Sequence, residues 1–88
     1  MTADAAYIQS IAASHLASPE DQKLWEVILS HIPEVVSAKI RRGLEVDPKL
    51  IIDFTRLIKE KTKALADRDI RRWQELLEEE KAILGRYI

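Results

Sequence analysis

The chain contains no cysteine, which removes disulfides, thiolate metal ligands and cysteine nucleophiles together. A reducing, cytoplasmic setting is therefore expected. Asparagine is missing as well and there is one methionine, a bias seen where thermolabile side chains are avoided. The expectation here is a thermophilic protein, melting above the ~45–65 °C range of mesophile domains. Two isolated glycines are too few to build a phosphate-cradling loop. No Asn-Gly or Asp-Gly pair marks a hairpin, and the β-branched residues fall at helical spacing, so no strand is predicted. Nor does any apolar run approach the ~20 residues that cross a bilayer. The opening stretch MTADAAYIQSIAASHLAS lacks the basic start of a secretory signal and reads as a helix.

What is present is a chain of 88 residues, 47% hydrophobic and 33% charged. The apolar content suffices to offset ordering entropy, and the length predicts one domain over residues 1–88 that buries roughly 60% of its unfolded surface. The formal charge of −1 hides a segregation. Residues 1–38 carry −4, residues 39–72 carry +5, and residues 73–88 carry −2. A basic middle between acidic ends marks either a nucleic-acid surface or helices that neutralise one another by packing side by side.

All three prolines read as helix punctuation. Ser18-Pro19-Glu20-Asp21 sets a capping hydroxyl, a proline at the first helical position and two acids in the first turn. Asp47-Pro48 repeats the device, with Val46 predicted to staple onto Ile51. Across Pro33 the positions Leu24, Ile28, Ile32, Val35 and Val36 keep to one face, which predicts a kinked helix or two short ones. In AKIRRGLEVDP, Gly43 is placed as a left-handed residue just past a helix end. Lys39, Arg41 and Arg42 then fall in the last turn, where cations compensate exposed carbonyls. From residue 48 onward one long helix is conceivable, but its apolar residues form two stripes. Leu50, Ile51, Phe54, Leu57, Ile58 and Leu65 make one; Ile70, Trp73, Leu76, Leu77, Ile83, Leu84 and Tyr87 make another, displaced by roughly 90°. A break at Asp67-Arg68-Asp69, with Asp67 or Asp69 capping the last helix, reconciles them. The predicted fold class is all-α, a small bundle of four to five helices near 3–16, 19–31, 33–42, 48–66 and 69–86.

Catalytic chemistry finds little to work with. Ser14-His15 and Ser30-His31 place a hydroxyl next to an imidazole, but helix neighbours point about 100° apart. No Gly-x-Ser-x-Gly turn supplies an oxyanion hole. The two histidines lack the spacing that puts two metal ligands on one helical face, and Glu75, Glu78 and Glu79 read as a solvated face with intrahelical pairs such as Glu78 to Lys81. The expectation is a protein that is not an enzyme, with no metal and no cofactor.

Two kinds of surface remain. Lys39, Arg41, Arg42, Lys49, Arg56, Lys59, Lys63, Arg68, Arg71 and Arg72 form a candidate track for nucleic-acid phosphates, though Asp53, Glu60 and Asp67 interrupt it. SAKIRRGLEVDPKLIIDF is a poor helix-turn-helix, because Lys39 stands where that motif has a small residue. Apolar faces wider than one stripe point to a protein interface, with Trp25, Leu29, Trp73, Leu77, Leu84, Tyr87 and Ile88 as its candidate residues. The reading that results is a small non-catalytic interaction module or accessory subunit with a protein partner or a second copy of itself, as a homodimer. Nucleic-acid binding is the alternative.

Overall fold

Capping chemistry sets the helix boundaries in the computed structural model, which describes residues 2–85. Helix α1, Ala3–His15, begins where the Thr2 hydroxyl accepts the Ala5 N–H at 3.1 Å. Helix α2, Pro19–His31, begins as expected, with Ser18 Oγ accepting the Asp21 N–H at 3.3 Å and Pro19 leading the first turn. Caps of this kind are worth about 1 kcal/mol each. Pro33, which has no N–H to continue a helix, separates α2 from α3, Glu34–Val46. Helix α4, Leu50–Ala66, and helix α5, Ile70–Gly85, complete an all-α fold with no strand among the described residues.

The break between α4 and α5 lies where the two stripes place it. Asp69 N–H bonds the Ala64 carbonyl at 2.8 Å and Arg68 N–H bonds the Leu65 carbonyl at 3.1 Å, a Schellman closure. Arg68 takes the left-handed position with φ of 54°, a conformation that glycine adopts more cheaply. Asp69 Oδ1 then accepts the Arg72 N–H at 3.0 Å and starts α5.

One boundary differs from the sequence reading. Helix α3 does not stop at residue 42; it runs on to Val46, and Gly43 is a buried residue inside it without positive φ. The actual stop is Asp47-Pro48. Asp47 N–H closes on the Gly43 carbonyl at 3.0 Å, and Asp47 Oδ1 accepts the Lys49 N–H at 3.1 Å. Three i→i+3 bonds from Leu50, Ile51 and Ile52 lead the chain into α4. Two expectations fall with Gly43. Lys39, Arg41 and Arg42 do not lie in the last turn, which holds no basic residue, and Val46 is 67% exposed rather than stapled onto the buried Ile51.

Helix α1 packs against α2, α3 and α4, while α4 and α5 form an antiparallel hairpin. The main core joins Ile8, Ala12, Leu16, Trp25, Leu44, Leu50, Ile51 and Phe54. A second cluster of Leu57, Ala64 and Leu76 fills the hairpin, and Ile83 touches both. Trp25 is the largest core side chain. Its Nε1–H donates to Thr55 Oγ1 at 2.9 Å, and the Thr55 hydroxyl donates to the Ile51 carbonyl at 2.6 Å. No buried side-chain polar atom is left unpaired among the described residues. No helix among them is long and apolar enough to cross a membrane.

Candidate interaction surfaces

The charge segregation in the sequence is met inside the fold by pairing. Arg41 reaches Asp4 at 3.1 Å and Glu45 at 3.3 Å, with its guanidinium 4.7 Å from the Tyr7 ring centroid. Lys59 meets Asp21 at 2.8 Å, tying α4 to α2. Across the hairpin Arg56 bonds Glu79 at 2.6 Å and Glu60 at 2.9 Å; Arg72 bonds Glu60 at 3.3 Å; Lys61 pairs with Glu80. The hydrogen bond to Glu79 is the main cause that raises the Arg56 pKa above its ordinary value. Acidic α1, α2 and α5 thus neutralise much of the basic middle.

For the candidate nucleic-acid track the consequence is a division. Arg41, Arg56, Lys59, Arg71 and Arg72 each hold at least one carboxylate, Arg71 through Glu75 at 3.6 Å. Lys39, Arg42, Lys49, Lys63 and Arg68 have no ion partner among the described residues.

The hydroxyl–imidazole pairs are resolved differently from expectation in one case. Ser30 Oγ does come within 2.9 Å of His31 Nδ1, because both side chains turn back to the Val27 carbonyl, at 2.6 and 2.8 Å. A carbonyl accepts only, so Nδ1 bonds it as N–H and is not a base toward the serine. Ser14 Oγ is bonded to the Ser10 carbonyl at 3.0 Å. Glu75, Glu78 and Glu79 are split among Arg71, Arg72, Lys81 and Arg56, and no metal-binding group of His, Asp and Glu forms among the described residues. A groove of about 530 Å³ between α1, α2 and the start of α3 holds Leu29, Ile32, Glu26 and Glu34. A smaller hollow of about 370 Å³ lies beside Lys63, Asp67 and Arg72 at the hairpin turn.

Of the candidate interface residues, Trp25 is removed: at 1% exposure it belongs to the core. Its apolar spacing identified a buried position and not a contact surface. Leu29 is half-buried at the groove, and Tyr87 and Ile88 lie outside the described residues. Trp73, Leu77 and Leu84 come together as half-buried side chains along one side of α5. At 100° per residue they share an arc of about 80° with Ile70 and Lys81, centred about 100° from the fully buried Leu76. Ile70, at 70% exposure, is the most open large apolar side chain of this set. The sequence reading missed that Val35 and Val46 are also open, at 64% and 67%. Val46 was legible only with the correct end of α3. Compared with known proteins, the chain matches no family model, no curated protein and no solved structure.

Proposed function

We propose that this protein is a small non-catalytic interaction module that self-associates through the partly open strip along one side of α5. One observation carries the reading: the strip is symmetric about Leu77. Ile70 and Trp73 precede Leu77 by seven and four residues, and Lys81 and Leu84 follow it by four and seven. When two copies of α5 lie antiparallel about a two-fold axis, Leu77 meets its counterpart, Ile70 meets Leu84, and Trp73 meets the Lys81 ammonium over its ring. Such isologous self-complementarity is what a closed homodimer requires, and the Lys–Trp contacts add a cation–π attraction. A strip about 21 Å long on one helix is short beside the ~800 Å² per partner of stable interfaces, so a weak, concentration-dependent dimer is expected.

Sedimentation velocity from low micromolar to millimolar concentration tests this. The expected result is a concentration-dependent monomer–dimer equilibrium that Ile70→Glu and Leu77→Glu each weaken, the latter by setting two carboxylates at the axis. A strict monomer throughout, or a dimer indifferent to both substitutions, refutes it. Within the same reading the module works in the cytoplasm, a setting with which a cysteine-free chain is compatible.

The alternative of nucleic-acid binding is supported by the five cations that lack an ion partner among the described residues. It requires retention on DNA or RNA at low salt that falls steeply as salt rises.

A further inference from the structure

We propose that the outer ridge of α3 is a docking site for an acidic amphipathic helix of a partner protein. Val35, Lys39, Arg42 and Val46 stand at i, i+4, i+7 and i+11, within an arc of about 60° at 100° per residue. This arc lies opposite Ser37, Ile40 and Leu44, which turn inward, so the ridge is the outward crest of a helix packed on α1 and α4. All four side chains are exposed, the valines at 64% and 67%. The ridge carries no acid; Glu45 lies to one side and is occupied by Arg41. Lys49 and the half-exposed Ile52 are open as well, beyond the Asp47-Pro48 turn.

Among the described residues the fold supplies no structural use for these side chains. Arg41, on the inner side, has an ion partner in α1 and an aromatic ring beneath it, whereas Lys39 and Arg42 have no ion partner among the described residues. Neither cation lies in the last turn, so compensation of free carbonyls does not account for them. Valine is a poorer helix former than alanine, leucine, lysine or glutamate, so two open valines on a helix crest weaken α3 without burying anything in this fold.

Charge selects the occupant. A second copy lying antiparallel along the same ridge matches Val35 with Val46, but sets Lys39 against Arg42 twice over, cation against cation. The complementary surface is a helix of about three turns with apolar residues at both ends and carboxylates between them. Helices recognised through i, i+4, i+7 and i+11 anchors are a common mode of peptide binding. Nucleic acid uses the cations but gains nothing from the valines, and an anionic bilayer is served poorly by side chains as short as valine.

The test is a fluorescence-anisotropy titration of the full chain with a labelled helical peptide of about 15 residues, bearing Leu, Glu, Glu and Leu at i, i+4, i+7 and i+11. Expected is saturable binding that Lys39→Glu/Arg42→Glu weakens by at least about tenfold, and that Val35→Ser/Val46→Ser weakens as well. A peptide with lysines in place of both glutamates is expected to bind the doubly acidic variant and not the native chain. Circular dichroism melts of both variants at native values confirm that only the surface changed. No saturable binding up to millimolar peptide overturns the proposal, as does binding indifferent to either double variant. So does tighter binding of a single-stranded oligonucleotide or of phosphatidylserine vesicles that the acidic variant abolishes and the serine variant leaves intact.

Discussion

Replacing Thr55 by valine tests whether the core depends on one polar contact. Valine fills nearly the same volume, so no cavity opens, and α4 keeps its backbone bonds. What is lost is the acceptor for Trp25 Nε1–H, a donor on a side chain only 1% exposed. Leaving such a group buried without a partner costs about 1–3 kcal/mol, so a loss of about 2 kcal/mol is expected. Thr55→Ser keeps the hydroxyl and drops one methyl, for about 1 kcal/mol. Urea unfolding followed by far-UV circular dichroism resolves the two, and each 1 kcal/mol moves Tm by about 4–8 °C in a domain of this size. The double-mutant cycle is the stringent part. In a Trp25→Phe background no indole N–H remains to be orphaned, and Thr55→Val is expected to cost under ~0.5 kcal/mol, giving a coupling above ~1 kcal/mol. If Thr55→Val is as mild as Thr55→Ser, or costs the same with Phe at position 25, the contact is incidental and the reasoning fails.

Gly43→Ala is expected to stabilise the fold by about 0.5–1 kcal/mol, since the position is mid-helix and an added Cβ meets Leu50 Cδ1 at an ordinary 3.6 Å; a lower urea midpoint contradicts this. Arg68→Gly relieves a left-handed backbone at φ of 54° and is expected to raise stability by about 1 kcal/mol, with no gain in Tm as the contrary result. Joining two copies of the acidic peptide by a flexible linker that spans both ridges of a dimer is expected to tighten binding well beyond twofold. Ile70→Glu, expected to weaken the proposed dimer, is expected to reduce that gain while leaving the single peptide's affinity unchanged; a gain undiminished in this variant contradicts the α5 pairing.

The architecture was legible where local chemistry leaves one option. Ser18-Pro19 and Asp67-Arg68-Asp69 mark their boundaries because a cap or a break satisfies backbone groups that nothing distant supplies. Gly43 misled because glycine's preference for a helix end is a statistical one. Here the helix continues through it, and the proline that cannot donate stands five residues on. Trp25 and Trp73 share helical apolar spacing, yet one is the core's largest side chain and the other stands half-open on α5. Their difference depends on which helices lie alongside, a property of long-range packing that periodicity within one segment does not contain. The ion pairs are of the same kind: Lys59 with Asp21 joins residues far apart in the chain.

The α5 strip and the α3 ridge have the same form and opposite chemistry at their centres. Positions 70, 73, 77, 81 and 84 are symmetric about Leu77, and positions 35, 39, 42 and 46 are symmetric about a point between Ile40 and Arg41. Geometry alone permits either strip to pair with its own copy. At the centre of the α5 pair two leucines are removed from water, which favours association. At the centre of an α3 pair four cations converge, and like charges at contact distance oppose it by about 1 kcal/mol or more per pair even when well hydrated. On the proposed reading, the sign of the middle residues suits the α5 face to self-association and the α3 face to a partner of opposite charge, so that a dimer formed through α5 would leave the α3 ridge of both copies open.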